Sequence, residues 1–175
     1  MSDLFRDGVV ALIPQMRAYA MALTRSNAEA DDLVQDALVR AWRYRATFDP
    51  ETQLKPWLFK ILRNQLYTQS ARRRFLVEDV DGRFAATLVA EPDQDWRLEY
   101  SELLNALATL SDDTREALLL VLGAGLSYEE AAEVCGCAIG TMKSRVNRGR
   151  DIVARQLDPP APPPRRVPLL AVNLA

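Results

Sequence analysis

Gly125-Leu126-Ser127-Tyr128-Glu129-Glu130-Ala131-Ala132-Glu133-Val134-Cys135-Gly136-Cys137-Ala138-Ile139-Gly140-Thr141-Met142-Lys143-Ser144-Arg145-Val146-Asn147-Arg148-Gly149-Arg150 reads as two short helices joined by a tight turn. Ser127 can cap the first helix, and Glu130, three residues on, completes a capping box. Ala131 and Ala132 are small where two helices must approach closely. Gly136 stands at the turn, where a left-handed backbone is usual. On the second helix Ile139, Met142, Val146, Gly149 and Val153 recur as an inward stripe. Gly140, Ser144, Asn147, Arg148 and Asp151 face away from it, flanked by Thr141 and Lys143. Small, amide and guanidinium side chains on the outer face of a second helix suit base-edge and phosphate contacts in a major groove. A basic face alone commonly marks an ordinary solvated helix pair. Cap, glycine turn and basic second helix together favour a DNA-binding helix-turn-helix.

Working outward, the period stays helical. Val9, Leu12, Ile13, Met16, Ala20 and Leu23 form one stripe, and Pro14 suits a first turn, so this helix is expected to begin near Ile13. Ser26-Asn27 offers a break and a new cap. Val34, Ala37, Leu38, Ala41 and Trp42 form a second stripe. Phe48-Asp49-Pro50 is a turn, and Pro56 opens a third helix. There Trp57, Leu58, Ile61, Leu62, Gln65 and Leu66 point inward, and Lys60, Arg63, Asn64, Tyr67, Ala71 and Arg74 lie opposite. From Phe75 the period fades into an acidic, Gly- and Pro-containing stretch that reads as a linker. A second helical block runs from about Leu98, with Leu103, Ala106, Leu107 and Leu110 on one face. The helix after Ser111 carries Ala117, Leu118, Val121 and Leu122 and ends at Gly123 and Gly125. Past Asp158 six of the ten prolines crowd the tail, which is expected to be extended or disordered. The fold class is therefore all-α: two small helical domains joined by an acidic linker, the second containing the helix-turn-helix. The expected divisions are 1–74, a linker at 75–98, 99–158, and a proline-rich tail at 159–175.

The chain of 175 residues has no histidine, which removes Ser-His-Asp triads, Cys-His dyads and HExxH zinc sites. Cys135 and Cys137, one residue apart, can neither build a disulfide framework nor complete a zinc site, and a packing role near the turn suits them best. A redox role stays open. No apolar run reaches the ~20 residues of a membrane span, and the N-terminus lacks a secretory pattern, so a cytoplasmic protein is expected. The formal charge of −2 argues at first against nucleic acid. Resolved along the chain it does not. Residues 1–74 carry net +4, 75–98 net −4, 99–158 net −4, and the tail +2. Within 99–158 five of the six basic residues follow Gly140. The basic charge is concentrated on two helices.

At these residues the chain resembles a known family. Asp32-Leu33-Val34-Gln35-Asp36-Ala37-Leu38-Val39-Arg40-Ala41-Trp42 is similar to the core-polymerase-binding segment of extracytoplasmic-function (ECF) sigma factors. Pro56-Trp57-Leu58-Phe59-Lys60-Ile61-Leu62-Arg63-Asn64 resembles their promoter-melting segment, and Gly140 to Arg150 resembles their minus-thirty-five recognition helix. The Glu-Glu-Ala-Ala and Cys-Gly-Cys run resembles the EcfG-type general-stress group. The resemblance implies an alternative sigma factor that binds core RNA polymerase through Asp32, Gln35 and Asp36. It implies minus-ten contacts by Lys60, Arg63, Asn64, Tyr67, Arg72, Arg73 and Arg74, with the loop holding a displaced base near Gln69 and Ser70. Minus-thirty-five contacts to a GGAA-type element are implied for Thr141, Lys143, Ser144, Arg145, Asn147 and Arg148. The implied partners are core polymerase, promoter DNA and a NepR-type anti-sigma factor, with no membrane, metal, cofactor or bond chemistry of its own. Linker acidity would discourage unspecific duplex binding. The alternative is a sigma-like decoy that binds an anti-sigma factor and never DNA. A small helix-turn-helix repressor would leave the first 74 residues without a role.

Overall fold

The computed structural model describes residues 2–77 and 94–157, with backbone alone at 2, 3, 72–77 and 94–99. The tail and the centre of the acidic stretch lie outside the described residues. The described residues form helices only: α1 (Ser2–Thr24), α2 (Asn27–Arg43), a 3₁₀ turn (Arg45–Thr47), α3 (Leu54–Val77), α4 (Gln94–Ala108), α5 (Asp112–Leu118), a π-helical turn (Leu119–Gly123), α6 (Tyr128–Cys135) and α7 (Ile139–Leu157). Helices α3 and α4 thus enter the stretch 75–98 from both sides. No described helix is long and apolar enough to cross a membrane.

Helix α1 runs through Pro14 rather than starting beside it. Proline forfeits one bond to the carbonyl four residues back, here Val10, which is 56% exposed and open to water. The fully buried Met16 and Ala20 hold the helix against α2 and α3. Ser26 caps α2 by accepting the Glu29 N–H, and Ala30, Leu33, Val34, Ala37 and Ala41 form its buried stripe. Trp42 does not join them. It is half exposed, and the Arg45 guanidinium lies 4.7 Å from its ring centroid. Helix α3 buries Leu58, Phe59, Leu62 and Gln65, whereas Trp57, Ile61 and Leu66 are only partly covered. Phe59 meets Tyr19 edge-on at 5.4 Å between centroids.

In the second block Leu104, Ala106, Leu107 and Leu110 are buried, and Leu103 is turned outward. Of the expected inward pair, Val121 packs against the core but Leu122 is displaced. Ala124 donates to the Leu119 carbonyl at 2.8 Å, five residues back, and this wider turn shifts the phase of the helix. Leu120 is then fully buried and Leu122 is 55% exposed. Residues around α6 behave as their sequence predicts. Ser127 Oγ accepts the Glu130 N–H at 3.1 Å while the Glu130 carboxylate accepts the Ser127 N–H at 2.7 Å. Gly136 adopts φ +65°, where the absence of Cβ removes the usual penalty. Cys137 N–H donates to Ala132 and Gly136 N–H to Glu133, the paired bonds of a Schellman ending. On α7 Met142, Val146 and Gly149 are buried, but Ile139 is largely exposed because it opens the helix beyond the edge of the core. Gly149 permits the close approach of α7 to α5: a Cβ there would stand 3.1 Å from Thr114 Cγ2.

Candidate nucleic-acid interface

The outer face of α7 is built by its inner one. Met142 and Val146 are fully buried, so the helical period directs Thr141, Lys143, Ser144, Asn147 and Arg148 outward, and all five are exposed. Ser144 Oγ donates to the Thr141 carbonyl at 2.9 Å, a bond within its own helix. Lys143 Nζ lies 5.8 Å from the Tyr128 ring centroid, which orders its stem without removing its charge from solvent. The side chains of Asn147 and Arg148 make no hydrogen bond or ion pair among the described residues. Arg145 differs. It is half-buried and donates to Asp113 Oδ2 on α5, so it braces α7 against the preceding helix rather than facing outward.

Helix α3 carries the second basic group, and here the surroundings are not free. Lys60 and Asn64 are exposed, but Lys60 Nζ stands 3.3 Å from Glu133 Oε1 of α6. Arg63 Nε donates to Glu116 Oε1 at 2.9 Å, and Tyr67 Oη donates to Glu116 Oε2 at 3.1 Å. The Arg63 guanidinium also lies over the Tyr67 ring at 4.5 Å. Tyr19 Oη of α1 is a further donor to Glu116 Oε1, at 3.0 Å. Glu116 itself is 2% exposed. A charge buried so deeply is tolerated only when paired and hydrogen-bonded, and three donors meet that demand. Burial, and then the neighbouring carboxylate, push the Tyr19 and Tyr67 hydroxyls above the usual phenol range. For Arg63 burial opposes the charge, but Glu116 outweighs it and the guanidinium is held more firmly protonated. Arg72, Arg73 and Arg74 continue α3 in the region described by backbone alone.

Of the α2 residues, Asp32 and Gln35 are exposed and point away from the buried stripe. Asp36 is exposed too, yet it accepts from Gln65 Nε2 at 3.0 Å and from Gln69 Nε2 at 3.1 Å, tying α2 to α3. Gln69 is therefore occupied, and Ser70 lines a notch beside Tyr67 and Glu116. An apolar cleft lies elsewhere, at the 3₁₀ turn. Phe5, Trp42, Arg45, Phe48 and Leu54 line about 560 Å³ of it, with Phe48 and Trp57 rings 5.2 Å apart behind them. Sequence reasoning missed this cleft and missed Glu116. Aromatic residues on both sides of the Phe48-Asp49-Pro50 turn were a signal for the first. For the second, Glu116 lies four residues before Leu120 and among Thr114, Ala117 and Leu118, an odd place for a carboxylate unless it is paired.

Cys135, partly buried at the end of α6, has its thiol pushed up to about 12, chiefly by burial and then by Glu116. Such a thiol is neutral and a poor nucleophile at physiological pH, in keeping with a packing role.

The two helical blocks match known families in order along the chain. Sigma-70 region 2 matches residues 9–75, and Sigma-70 region 4 matches residues 100–152. The ECF RNA polymerase sigma factor EcfG of Rhodopseudomonas palustris is 48% identical over 150 residues, covering 86% of this chain and 83% of that protein. The chain belongs to the ECF RNA polymerase sigma factors. SigC of Mycobacterium tuberculosis, another ECF sigma factor, is 35% identical over 132 residues, covering 74% of this chain and 71% of SigC. The sigma factor RpoE of Bartonella quintana, solved in complex with the anti-sigma factor NepR, superposes with a TM-score of 0.80 at 42% identity, covering 87% of this chain and 96% of RpoE. In sigma-factor terms, α1–α3 form region 2 and α4–α7 form region 4.

Proposed function

We propose that this sigma factor is of the EcfG type and directs core RNA polymerase to promoters of stress-response genes. The observation that carries the DNA-reading part is the α7 face, where Thr141, Lys143, Ser144, Asn147 and Arg148 stand exposed on a helix anchored by buried Met142 and Val146. In a major groove Arg148 and Asn147 have the donors and acceptors that read base edges, and Lys143 suits a phosphate. Arg145 serves the site from behind through Asp113. Asp32 and Gln35 meet core polymerase directly, and Asp36 shares that surface while holding α3 through Gln65 and Gln69. Lys60, Arg63, Asn64, Tyr67 and the stretch Arg72-Arg73-Arg74 follow the minus-ten strand. A base displaced from the duplex fits the aromatic cleft at Phe48 and Trp42 better than the neighbourhood of Gln69 and Ser70. Stacking there offsets the few kcal/mol of unstacking. The functional divisions are those at 1–74, 75–98, 99–158 and 159–175.

In this reading polymerase supplies the catalysis, and the chain works in the cytoplasm without a cofactor. A NepR-type anti-sigma factor silences it, a role supported by the likeness to RpoE, solved with NepR. Run-off transcription with purified core polymerase on a GGAA-type promoter is the test. A transcript above core alone, lost with Arg148→Ala, is the expected result. No promoter-dependent transcript, together with tight anti-sigma binding, would identify a decoy.

A further inference from the structure

We propose that Gln65 is a positioning residue for the polymerase contact: from α3 it holds the Asp36 carboxylate of α2 in the orientation in which core polymerase meets it. The inference rests on the reading of α2 as the polymerase surface and names what prepares that surface. Gln65 shares the inward stripe of α3 with the fully buried Leu58 and Leu62, and is itself only 7% exposed. Its Nε2 donates to Asp36 Oδ2 at 3.0 Å, while its Oε1 is buried and accepts no hydrogen bond among the described residues. The two facts have one cause. A carboxylate only accepts, so the amide must turn its nitrogen to Asp36, and that choice leaves the oxygen unmet. An unmet buried acceptor destabilises, and an apolar side chain of the same length would fill the space without it. Packing therefore gives no reason for an amide at this position, and the bond to Asp36 does.

Gln69, one turn further along α3, donates to the same oxygen at 3.1 Å. Both bonds land on Oδ2, and neither draws on Oδ1 or its two lone pairs. The glutamines thus fix the carboxylate from the α3 side and do not use the oxygen with which it can accept from a partner. Asp36 is exposed. An exposed aspartate without such anchors turns between rotamers, and binding must then freeze it into one. Here the folded chain has already done so before polymerase arrives, which is preorganisation in the ordinary sense. Gln65, locked among core side chains, is the firm anchor. Gln69 is only partly buried and is the weaker one.

The test measures the affinity of the labelled full chain for purified core polymerase by fluorescence anisotropy, without DNA, beside the melting midpoint of each variant. Gln65→Met keeps the length of the side chain and deletes the donor. It should bind polymerase about fivefold more weakly, the effect of one side chain left to be ordered on binding. It should nevertheless melt no lower than wild type, because the unmet oxygen leaves with the donor. A merely structural role predicts the opposite pairing, a lower midpoint with unchanged affinity. Gln69→Met should lose about twofold. In an Asp36→Ala background Gln65→Met should add no further loss, whereas in an Asp32→Ala background its loss should persist. Wild-type affinity in Gln65→Met overturns the inference, and so does an undiminished loss in the Asp36→Ala background. Should Gln65→Met lose helicity by circular dichroism, Gln69→Met and its cycle with Asp36→Ala decide. Asp36→Ala separates the inference from the reading beneath it. Wild-type affinity in that variant sinks the polymerase reading of Asp36 and the positioning with it, while a weakened Asp36→Ala beside an unaffected Gln65→Met removes the positioning alone.

Discussion

Two helix faces of similar composition meet opposite fates in this chain. On α7, Lys143, Asn147 and Arg148 look outward over a buried Met142 and Val146, and among the described residues no carboxylate pairs with them. On α3, Lys60, Arg63 and Tyr67 are met by Glu133 and Glu116 from the other region. Net charge per helix predicts the same behaviour for both. The difference shows that the exposure of a basic face depends on what a distant segment places opposite: the α7 face is open and the α3 face is covered.

The largest expected effect tests the support beneath the α3 face. Phe59 is fully buried against Tyr19, so Phe59→Ala should cost about 3–5 kcal/mol in urea unfolding. A cost below ~1 kcal/mol would mean that α3 is held chiefly by the region 4 carboxylates. On the α7 side, Arg148→Ala should lose about 1–3 kcal/mol of discrimination between a GGAA-type duplex and a scrambled one. Lys143→Ala should weaken both duplexes alike and lower the salt slope. Equal loss for the two duplexes with Arg148→Ala would assign that residue to phosphate only.

A smaller effect concerns how α7 is seated. Gly149→Ala gains about 1 kcal/mol of helix propensity but drives a methyl against Thr114 Cγ2, which Ser111 holds by a 2.9 Å hydrogen bond. Overpacking costs about 1–3 kcal/mol, so a net loss of about 1 kcal/mol in thermal unfolding is expected. Adding Thr114→Ser, which deletes that methyl, should reverse the sign. If the double variant stays equally destabilised, Leu118 is the obstacle.

The smallest effect is alkaline. The Cys135 thiol titrates near 12 in the folded chain against 9.0 for the ordinary group. Because the folded value is raised, this contribution to stability is complete below pH 9 and fades as pH climbs toward 12. The melting midpoint should fall across that window, and less steeply in Cys135→Ala. Identical slopes would show that the buried tyrosines carry the whole alkaline loss.

Much of the site was legible from short-range signals. The capping box at Ser127 and Glu130, the Gly136 turn and the period of α7 involve residues within one or two turns of each other, and all appear as read. Errors arose where a local rule met a longer-range condition. Pro14 sits inside α1 because α2 and α3 pack against its flanks, and the π-helical turn rotated Leu122 out of the core. For Arg145 the family resemblance implied a DNA contact, but Asp113, 32 residues earlier, engages it.

The sequence by itself determined the helical elements, their caps, the concentration of basic charge on two helices and the order of the two sigma regions. Periodicity, capping and composition are properties of neighbouring residues, and they need no partner to be read. Only the tertiary structure decided that Glu116 is a buried acceptor for Tyr19, Arg63 and Tyr67, and that one basic face is covered while the other is open. A buried charge is stable only where distant segments bring enough donors to it, and that meeting is set by packing rather than by any local pattern.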